Sequence, residues 1–214
     1  MSKAKKTKGK GHKPKGIMGR SNIPYVQRMA IQRHEEIRAN RDHSAQIAMF
    51  CTSIALHEIA GIGYKRLVKY SLHFKEIVDE FYEDPEVGMA HAKHRMEQFG
   101  MPISGELFAV ENSGQSKREM EMENHSLQAA QIALICGAIA MNDEFGFGQE
   151  RQTRISNRVS ELTGRYAKEG KQFLLDEMEK IGFKIVNGTV CAYMDDDGNA
   201  VTPKRAKKEG YPDA

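Results

Sequence analysis

Six basic side chains recur at helical spacing in two places of the 214-residue sequence. Both groups of three follow the pattern i, i+3, i+7, which places their members on one face of a helix. Guanidinium and ammonium groups on such a face can bind phosphate oxygens, although a solvated surface without a ligand would carry the same pattern. The candidates for nucleic-acid binding in these groups are Arg66, Lys69, His73, Arg151, Arg154 and Arg158.

Each basic helix is predicted to follow a short turn with two glycines, Gly61 and Gly63 in one case and Gly146 and Gly148 in the other. A helix, a short turn and a second helix with a basic face together resemble a helix-turn-helix. In that motif the second helix enters the major groove of DNA. The spacing therefore favours DNA as the ligand of these two helices.

Two carboxylates before these turns give a structural reason for part of the pattern. Glu58 and Asp143 are predicted in the last turn of the preceding helix, each eight residues before an arginine. A carboxylate at that end of a helix opposes the helix dipole. We therefore predict a clasp across each turn, from Glu58 to Arg66 and from Asp143 to Arg151, which would partly commit both arginines to structure.

Net charge is distributed unevenly along the chain. Of the total of +3, residues 1–20 carry +8 and residues 202–214 carry +2, which leaves −7 for residues 21–201. Because the first segment is rich in Lys and Gly and nearly free of apolar side chains, we predict a disordered basic arm. The arm either attracts nucleic acid nonspecifically or serves only as a solubilising tail. Its candidate nucleic-acid contacts are Lys5, Lys6, Lys8 and Lys10.

An internal duplication determines the predicted architecture. Residues 45–66 and 130–151 align without a gap at an offset of 85 residues, with 10 of 22 positions identical. Such self-similarity indicates two copies of one unit. We predict a mainly α fold with two tandem helical repeats, each closed by a short β-hairpin. The predicted segments are the arm over 1–20, the first repeat with an extra N-terminal helix over 21–110, the second repeat with its hairpin over 111–203, and a tail over 204–214.

Glycine and turn chemistry predict where the elements end. Asn187-Gly188 favours a type I′ turn between two strands of the second repeat, with a third strand over 200–202. The corresponding hairpin of the first repeat has a weaker signal, around Ser104-Gly105. Glycines at the helix ends can adopt the left-handed C-cap conformation. These glycines are Gly61 and Gly100 in the first repeat and Gly146 and Gly182 in the second.

Small side chains on the first helix of each repeat would allow two helices to approach closely. We predict that these faces pack across a pseudo-two-fold axis, as in a fused homodimer. Two of the three cysteines lie on these faces, and without CxxC spacing they are expected to be core thiols in a reducing cytosol. The small residues are Ala48, Cys51, Ala55, Ala133, Cys136, Gly137 and Ala140.

Other polar residues do not form a recognisable catalytic or metal site. His57 lies beside a carboxylate, but the aligned position of the second copy is Asn142. The three aspartates at 195–197 resemble the start of a calcium loop, but the glycine and glutamate positions of that loop hold alanine, which favours an acidic hairpin turn. No Walker loop, nucleophile elbow or HExxH pattern occurs. We therefore predict no enzyme activity, no catalytic residues, no metal and no cofactor.

The stretches LHEIAGIGYKRL and MNDEFGFGQER resemble a pattern of small uncharacterised proteins of phages and mobile elements in Gram-positive bacteria. In that pattern an apolar helix ends in G-F-G-x-x-R. The resemblance covers the first two helices of each repeat, and the second copy departs from it at Gln149-Glu150, where basic residues are usual. It implies a genomic setting that includes transcription regulators and inhibitors of host defence nucleases such as anti-CRISPR proteins.

The sequence as a whole therefore predicts a cytoplasmic, nonenzymatic protein that binds nucleic acid or a nucleoprotein. The alternative is an inhibitor that binds a host defence nuclease through the acidic body. No apolar run approaches the length of about 20 residues that a membrane-spanning helix needs, so no membrane partner is predicted. The duplication predicts a pseudo-dimeric monomer or a higher oligomer.

Overall fold

The computed structural model describes residues 25–101 and 116–209, and all structural statements below refer to these two ranges. This part of the chain is mainly helical, as predicted, with one antiparallel pair of strands. In chain order the elements are α1 (Tyr25–Ala60), α2 (Tyr64–Glu83), α3 (Pro85–Gln98), α4 (Lys117–Phe145), α5 (Gln149–Glu169), α6 (Lys171–Lys180), β1 (Lys184–Val186), β2 (Thr189–Cys191) and α7 (Pro203–Glu209).

Helix α1 is one uninterrupted helix of 36 residues, where the sequence analysis predicts an extra helix followed by a separate repeat helix. The prediction is wrong because no Gly or Pro occurs within α1 to interrupt its backbone hydrogen bonds. A boundary between two compact units falls inside this helix, between Glu36 and Ile37. From Ile37 onwards the helix belongs to the same unit as every other described element, and all six predicted basic residues of the helices lie in this second unit.

The predicted glycine caps are confirmed. Gly61 after α1 and Gly146 after α4 both have a φ of 63°, the left-handed conformation that a side chain rarely adopts. The amide of Gly61 donates to the carbonyl of His57, and the amide of Gly146 donates to that of Asn142. Left-handed glycines also follow α3 and α6, at Gly100 and Gly182. Glycine geometry therefore ends four of the helices where the sequence predicts.

Side-chain caps determine where two further helices begin. The carboxylate of Asp84 accepts a hydrogen bond from the amide of Val87, and Pro85 occupies the first position of α3. At the start of α4, the Ser116 hydroxyl accepts from the amide of Glu119, whose carboxylate accepts from the amide of Ser116. Both arrangements satisfy amides that the first turn of a helix leaves without partners.

The hairpin of the second half has the predicted turn. Asn187 and Gly188 both have positive φ, of 51° and 75°, and connect strands β1 and β2 as a type I′ turn requires. The predicted third strand is wrong: 200–202 contributes only an isolated bridge between Met194 and Ala200. The chain cannot extend further as a strand because Pro203 begins α7 directly afterwards. The hairpin predicted around Ser104-Gly105 lies outside the described residues.

The segment predicted as a tail from residue 204 is folded as far as Glu209. It forms most of helix α7, and the side chain of Ala206 is buried. Val201, just before this helix, is also buried, and its amide donates to the carbonyl of Tyr193. Burial of these two apolar side chains keeps the end of the described chain attached to the hairpin region.

One hydrophobic core includes side chains from both halves of the second unit. Helix α2 packs against α4, which comes from the other half of the sequence. The small residue Gly137 of α4 faces the rings of Tyr70 and Phe74 on α2, and a Cβ at Gly137 would lie 3.2 Å from the Tyr70 hydroxyl. At Gly137 the small face of α4 therefore packs against rings of α2, while the predicted packing of the small faces of α1 and α4 on each other stays a prediction.

The predicted core thiols are confirmed. Cys51 and Cys136 are both completely buried. Burial raises the pKa of Cys51 to about 11 and that of Cys136 to about 12. Both groups therefore stay protonated at neutral pH, as side chains of the core.

Candidate functional site

The six predicted basic residues lie on α2 and α5, and the structure divides them into two groups. Three of them form ion pairs with carboxylates of the protein. The other three have no carboxylate partner within residues 25–101 and 116–209. The paired residues are Lys69, His73 and Arg158, and the unpaired residues are Arg66, Arg151 and Arg154. The predicted arm contacts Lys5, Lys6, Lys8 and Lys10 lie outside the described residues.

Arg158 on α5 binds two carboxylates, one of them from the other half of the sequence. Its Nε and Nη2 donate to Glu58 of α1 at 2.7 and 3.3 Å. Its Nη1 donates to Glu161, one turn further along α5, at 2.7 Å. Hydrogen bonds to Glu58 and Glu161 raise the pKa of the Arg158 guanidinium above its usual value. Arg158 is therefore a structural tie between α1 and α5.

His73 on α2 makes the same kind of contact from the aligned position. Its Nε2 lies 2.9 Å from Asp143 of α4, and its Nδ1 lies 3.3 Å from Glu76. Asp143 also accepts a hydrogen bond from Arg95 of α3. Partial burial lowers the pKa of His73, but the hydrogen bonds to Asp143 and Glu76 outweigh this effect and raise the pKa above its usual value.

These two sets of contacts are reciprocal. Glu58 aligns with Asp143 and His73 aligns with Arg158, and in each case the acid of one half binds the base of the other. The predicted clasps, Glu58 to Arg66 and Asp143 to Arg151, are therefore wrong. They fail because the helix that runs beside each carboxylate comes from the other half of the sequence and presents its own basic residue there.

The reciprocity is broken at one position. Lys69 of α2 contacts Glu144 of α4 with 2.7 Å between Nζ and Oε2. The residue that aligns with Lys69 is Arg154, and the residue that aligns with Glu144 is Ile59. An isoleucine stands in place of the carboxylate, and Arg154, which lines the same cleft as Ile59, has no carboxylate partner within the described ranges. One basic residue of this pair is thus structural, while the other remains available to a ligand.

The three unpaired arginines line a single cleft of about 390 Å³. Its cationic groups come from the first turn of α2 and the first two turns of α5. Apolar side chains form the rest of its surface, and most of these are buried or half-buried. The residues that line it are Ile59, Ala60, Ile62, Arg66, Phe145, Phe147, Arg151, Arg154 and Ile155.

Two of the arginines lie over aromatic rings. The guanidinium carbon of Arg66 is 4.7 Å from the centre of the Phe145 ring, and that of Arg151 is 5.4 Å from the centre of the Phe147 ring. A stacked guanidinium uses its face for the ring and keeps the N–H groups at its edge for hydrogen bonds. The rings therefore orient both arginines without neutralising them.

The cleft contains both members of several aligned pairs. Ala60 and Phe145 are aligned, and so are Ile62 and Phe147 and the two arginines Arg66 and Arg151. The two halves therefore contribute to it in nearly the same way. They differ in that a phenylalanine ring replaces a methyl group at position 145. They also differ in that Arg154 lines the cleft, whereas the aligned residue Lys69 does not.

Helical spacing predicts the three arginines of the cleft but not its apolar surface. Phe145 and Phe147 are the largest side chains involved, and the alignment with Ala60 and Ile62 would have identified 145 as the position where the copies differ most in size. Their role depends on α4 ending beside the start of α2, a contact between distant segments that periodicity does not predict.

The remaining polar candidates have local structural roles. His57 is exposed, and its Nδ1 lies 3.0 Å from the carbonyl oxygen of Ile62, across the turn that follows α1. Asp195 accepts a hydrogen bond from the amide of Asn199, which agrees with the predicted acidic turn. Within the described ranges, no group of three or more His, Cys, Asp or Glu residues could hold a metal ion.

The chain matches no protein-family model, no curated protein and no solved structure. None of the helices in the described ranges is long and apolar enough to cross a membrane.

Proposed function

We propose that this protein is a nonenzymatic, cytoplasmic binder of nucleic acid or of a nucleoprotein, of the type found in phages and mobile elements. One observation carries the proposal: Arg66, Arg151 and Arg154 meet in one cleft without a carboxylate to neutralise them. Like charges that line one cleft repel each other, and an anionic ligand would relieve that repulsion. Phosphate oxygens are the anions that guanidinium groups bind with the best geometry.

The proposal keeps the resemblance to a helix-turn-helix but changes how the helices contact the ligand. Two recognition helices that enter successive major grooves must have centres about 34 Å apart. Here the first turns of α2 and α5 contribute to a single cleft of about 390 Å³. We therefore propose that both helices act together on one stretch of backbone.

The basic arm would supply the long-range part of the attraction. Residues 1–20 carry +8, whereas residues 21–201 sum to −7. An acidic body repels nucleic acid, and a Lys-rich segment offsets this through counterion release from the phosphates. The arm would therefore increase affinity without specificity, while the cleft would determine where the backbone lies.

We also propose that the two halves are tandem helical repeats related by a pseudo-two-fold axis, which would make the chain a pseudo-dimeric monomer. The reciprocal pairs Glu58–Arg158 and Asp143–His73 support this arrangement, because contacts across a two-fold axis occur in such pairs. An experimental structure in which 45–81 does not superpose on 130–166 would contradict it.

The nucleic-acid proposal is tested by fluorescence anisotropy with a labelled DNA and the full chain. Arg151→Glu combined with Arg154→Glu should weaken binding by roughly a hundredfold, because each lost charge-assisted contact contributes about 1.5–3 kcal/mol. The matched control is Lys168→Glu with Lys171→Glu, which changes the net charge equally. Lys168 lies about 21 Å along α5 from Arg154, well beyond the screening length at physiological salt. Equal losses in both double variants would reject the cleft as the binding site.

A second function has one observation in its favour. The charge of −7 over residues 21–201 fits a protein that binds the basic surface of a host defence nuclease, as anti-CRISPR proteins do. A pull-down from host lysate, with and without nuclease treatment, separates the two functions. Partners that remain after nucleic acid is digested would favour the inhibitor, and partners that are lost would favour the nucleic-acid binder.

A further inference from the structure

Among the six predicted basic residues of α2 and α5, free positive charge is confined to the arginine cleft. Further along the same helix faces, carboxylates of the protein neutralise Lys69 and His73 on α2 and Arg158 on α5. Both helices therefore present unpaired arginines near their first residues and ion pairs beyond them. This distribution restricts how a nucleic acid can be held, and the inference drawn from it rests on the proposed function and narrows it.

A backbone that lies along a protein surface makes phosphate contacts at regular intervals. Each contact needs a cation that the protein has not already neutralised. The two basic faces supply such cations at one place only, in a cleft of about 390 Å³, which lies at the low end of the range for small-molecule pockets. The cleft therefore suits one phosphate group better than a run of backbone.

The cleft carries more positive charge than one internal phosphate balances. Arg66, Arg151 and Arg154 have no carboxylate partner within the described ranges. Arg66 and Arg151 are also the third residues of α2 and α5, and the N-caps of these helices, Gly63 and Gly148, make no side-chain cap hydrogen bond. The positive end of each helix dipole therefore adds to the charge of the arginines.

A phosphate at the end of a strand matches this charge better than a phosphate within the strand. An internal phosphodiester has one negative charge, whereas a terminal phosphomonoester carries about −1.5 to −2 at pH 7 and presents three acceptor oxygens. Three guanidinium groups can each donate to one of these oxygens. A terminal group also projects from the strand, so it can enter a cleft that the rest of the backbone does not enter.

The arginines are positioned to surround such a group. Arg151 and Arg154 are three residues apart on α5, which makes their side chains neighbours on one helix face. The rings of Phe145 and Phe147, 5.2 Å apart between their centres, lie beneath Arg66 of α2 and Arg151. Two adjacent rings therefore support the two arginines that come from different helices.

We propose that the cleft binds the terminal phosphate of a nucleic-acid strand. The phosphomonoester oxygens accept hydrogen bonds from the guanidinium groups of Arg66, Arg151 and Arg154, and the internal phosphates stay outside the cleft. The protein then distinguishes a phosphorylated end from a hydroxyl end of the same sequence.

The test compares three end groups on one internally labelled 20-nucleotide sequence: hydroxyl ends, a 5′-phosphate and a 3′-phosphate. Each is titrated with the full chain as a DNA strand, an RNA strand and a DNA duplex. We expect a phosphorylated end to bind about tenfold more tightly than the hydroxyl end in at least one form, because it adds charge-assisted contacts that a hydroxyl cannot make. The basic arm is present in every titration, and the internal phosphates that it would attract are the same in all probes.

A pair of variants locates the end group. Arg154→Gln removes one cation of the cleft and should reduce the preference for the phosphorylated end by about tenfold. Lys168→Gln, which removes one positive charge near the other end of α5, is the matched control and should leave the preference unchanged. Thermal unfolding of both variants confirms that they are folded. A full preference in Arg154→Gln would show that the phosphate lies elsewhere and would overturn the inference.

The outcomes separate this inference from the proposed function. If hydroxyl ends bind as tightly as phosphorylated ends in every form, and Arg151→Glu with Arg154→Glu weakens both, the protein binds nucleic acid but the inference is overturned. If AMP, added as a competitor, binds as tightly as the phosphorylated strands, the ligand is a free nucleotide and the inference is also overturned. If none of the probes binds above the level of that double variant, both the inference and the proposed function fail.

Discussion

The ion pair of Lys69 with Glu144 and the aligned residues Arg154 and Ile59, which line one cleft, differ in one chemical respect. Lys69 forms an ion pair with the carboxylate of Glu144 at 2.7 Å, whereas Arg154 shares its cleft with the apolar side chain of Ile59. The difference shows that a single acidic or apolar residue on the neighbouring helix determines whether a basic residue contributes to the fold or remains free for a ligand.

The same comparison corrects the interpretation of the basic helix faces. Six residues with one spacing look equivalent in the sequence, yet Lys69, His73 and Arg158 are held by carboxylates of the protein. A replacement of Arg158 would therefore disturb a contact between α1 and α5 and would report on the fold. Arg66 and Arg151 lie over aromatic rings, so among the six residues Arg154 is the one whose replacement disturbs the fewest contacts found within the described residues.

The largest expected effect comes from comparing the same charge reversal at the two aligned basic residues, Arg154 and Lys69. Arg154→Glu should weaken nucleic-acid binding by about tenfold or more, since a charge-assisted hydrogen bond contributes about 1.5–3 kcal/mol. Lys69→Glu removes the same charge at a residue already neutralised by Glu144, so its effect on binding should be much smaller. Anisotropy titrations of both variants measure the difference. Equal losses would mean that the break in reciprocity has no functional consequence.

A smaller effect is expected on stability at the two reciprocal contacts. Arg158→Ala removes ion pairs to Glu58 and Glu161 and should lower the free energy of unfolding by about 1 kcal/mol, the upper end for partly exposed pairs. His73→Ala should cost less at pH 8, where fewer of the imidazoles are protonated. Urea unfolding measures both values, and neither variant should change nucleic-acid affinity. A loss of affinity in Arg158→Ala would show that this residue contacts the ligand as well.

The smallest effect is a pH dependence confined to one of the two contacts. The pKa of His73 is raised in the folded protein. Its contact with Asp143 is therefore fully stabilising below the unfolded pKa of about 6.5, and this stabilisation is lost as pH rises through the folded-state pKa. Arg95, which also binds Asp143, stays charged throughout this range.

The variant His73→Arg isolates this pH dependence, because it gives position 73 the arginine that the second half carries at the aligned position, Arg158. Its stability relative to the parent should increase as pH rises from about 6 to about 9. The other histidines titrate in both proteins and cancel in the comparison. A difference that is constant with pH would show that the imidazole charge does not contribute to the contact.

Much of the fold could be predicted because local sequence determines it. The left-handed caps at Gly61 and Gly146 and the type I′ turn at Asn187-Gly188 depend on backbone preferences of residues close together in the chain. The buried faces of α2 and α5 follow from periodicity. The uninterrupted helix α1 was missed because the repeat boundary suggested a break that no residue in the sequence causes.

The site was only half predictable, for a different physical reason. The positions of Arg66, Arg151 and Arg154 follow from helical spacing, but their lack of a carboxylate partner depends on which helix packs beside them. Glu58 binds Arg158, 100 residues away, and no local pattern distinguishes that partner from Arg66. The apolar lining of the cleft has the same origin, since Phe145 and Ile59 are distant in the sequence and line one cleft only in the folded chain.

The most direct test of the central claim is to exchange the two residues that differ. The double variant Ile59→Glu with Glu144→Ile has the same composition and net charge as the parent, but it supplies Arg154 with a carboxylate and removes the one beside Lys69. The net charge is unchanged, so a change in affinity arises within the two exchanged positions, from where the free charge and the apolar side chain lie. We expect nucleic-acid binding, measured by anisotropy on a folded double variant, to fall by about tenfold because the cleft loses one free cation. Binding equal to that of the parent would contradict the claim that the unpaired arginines of the cleft hold the ligand.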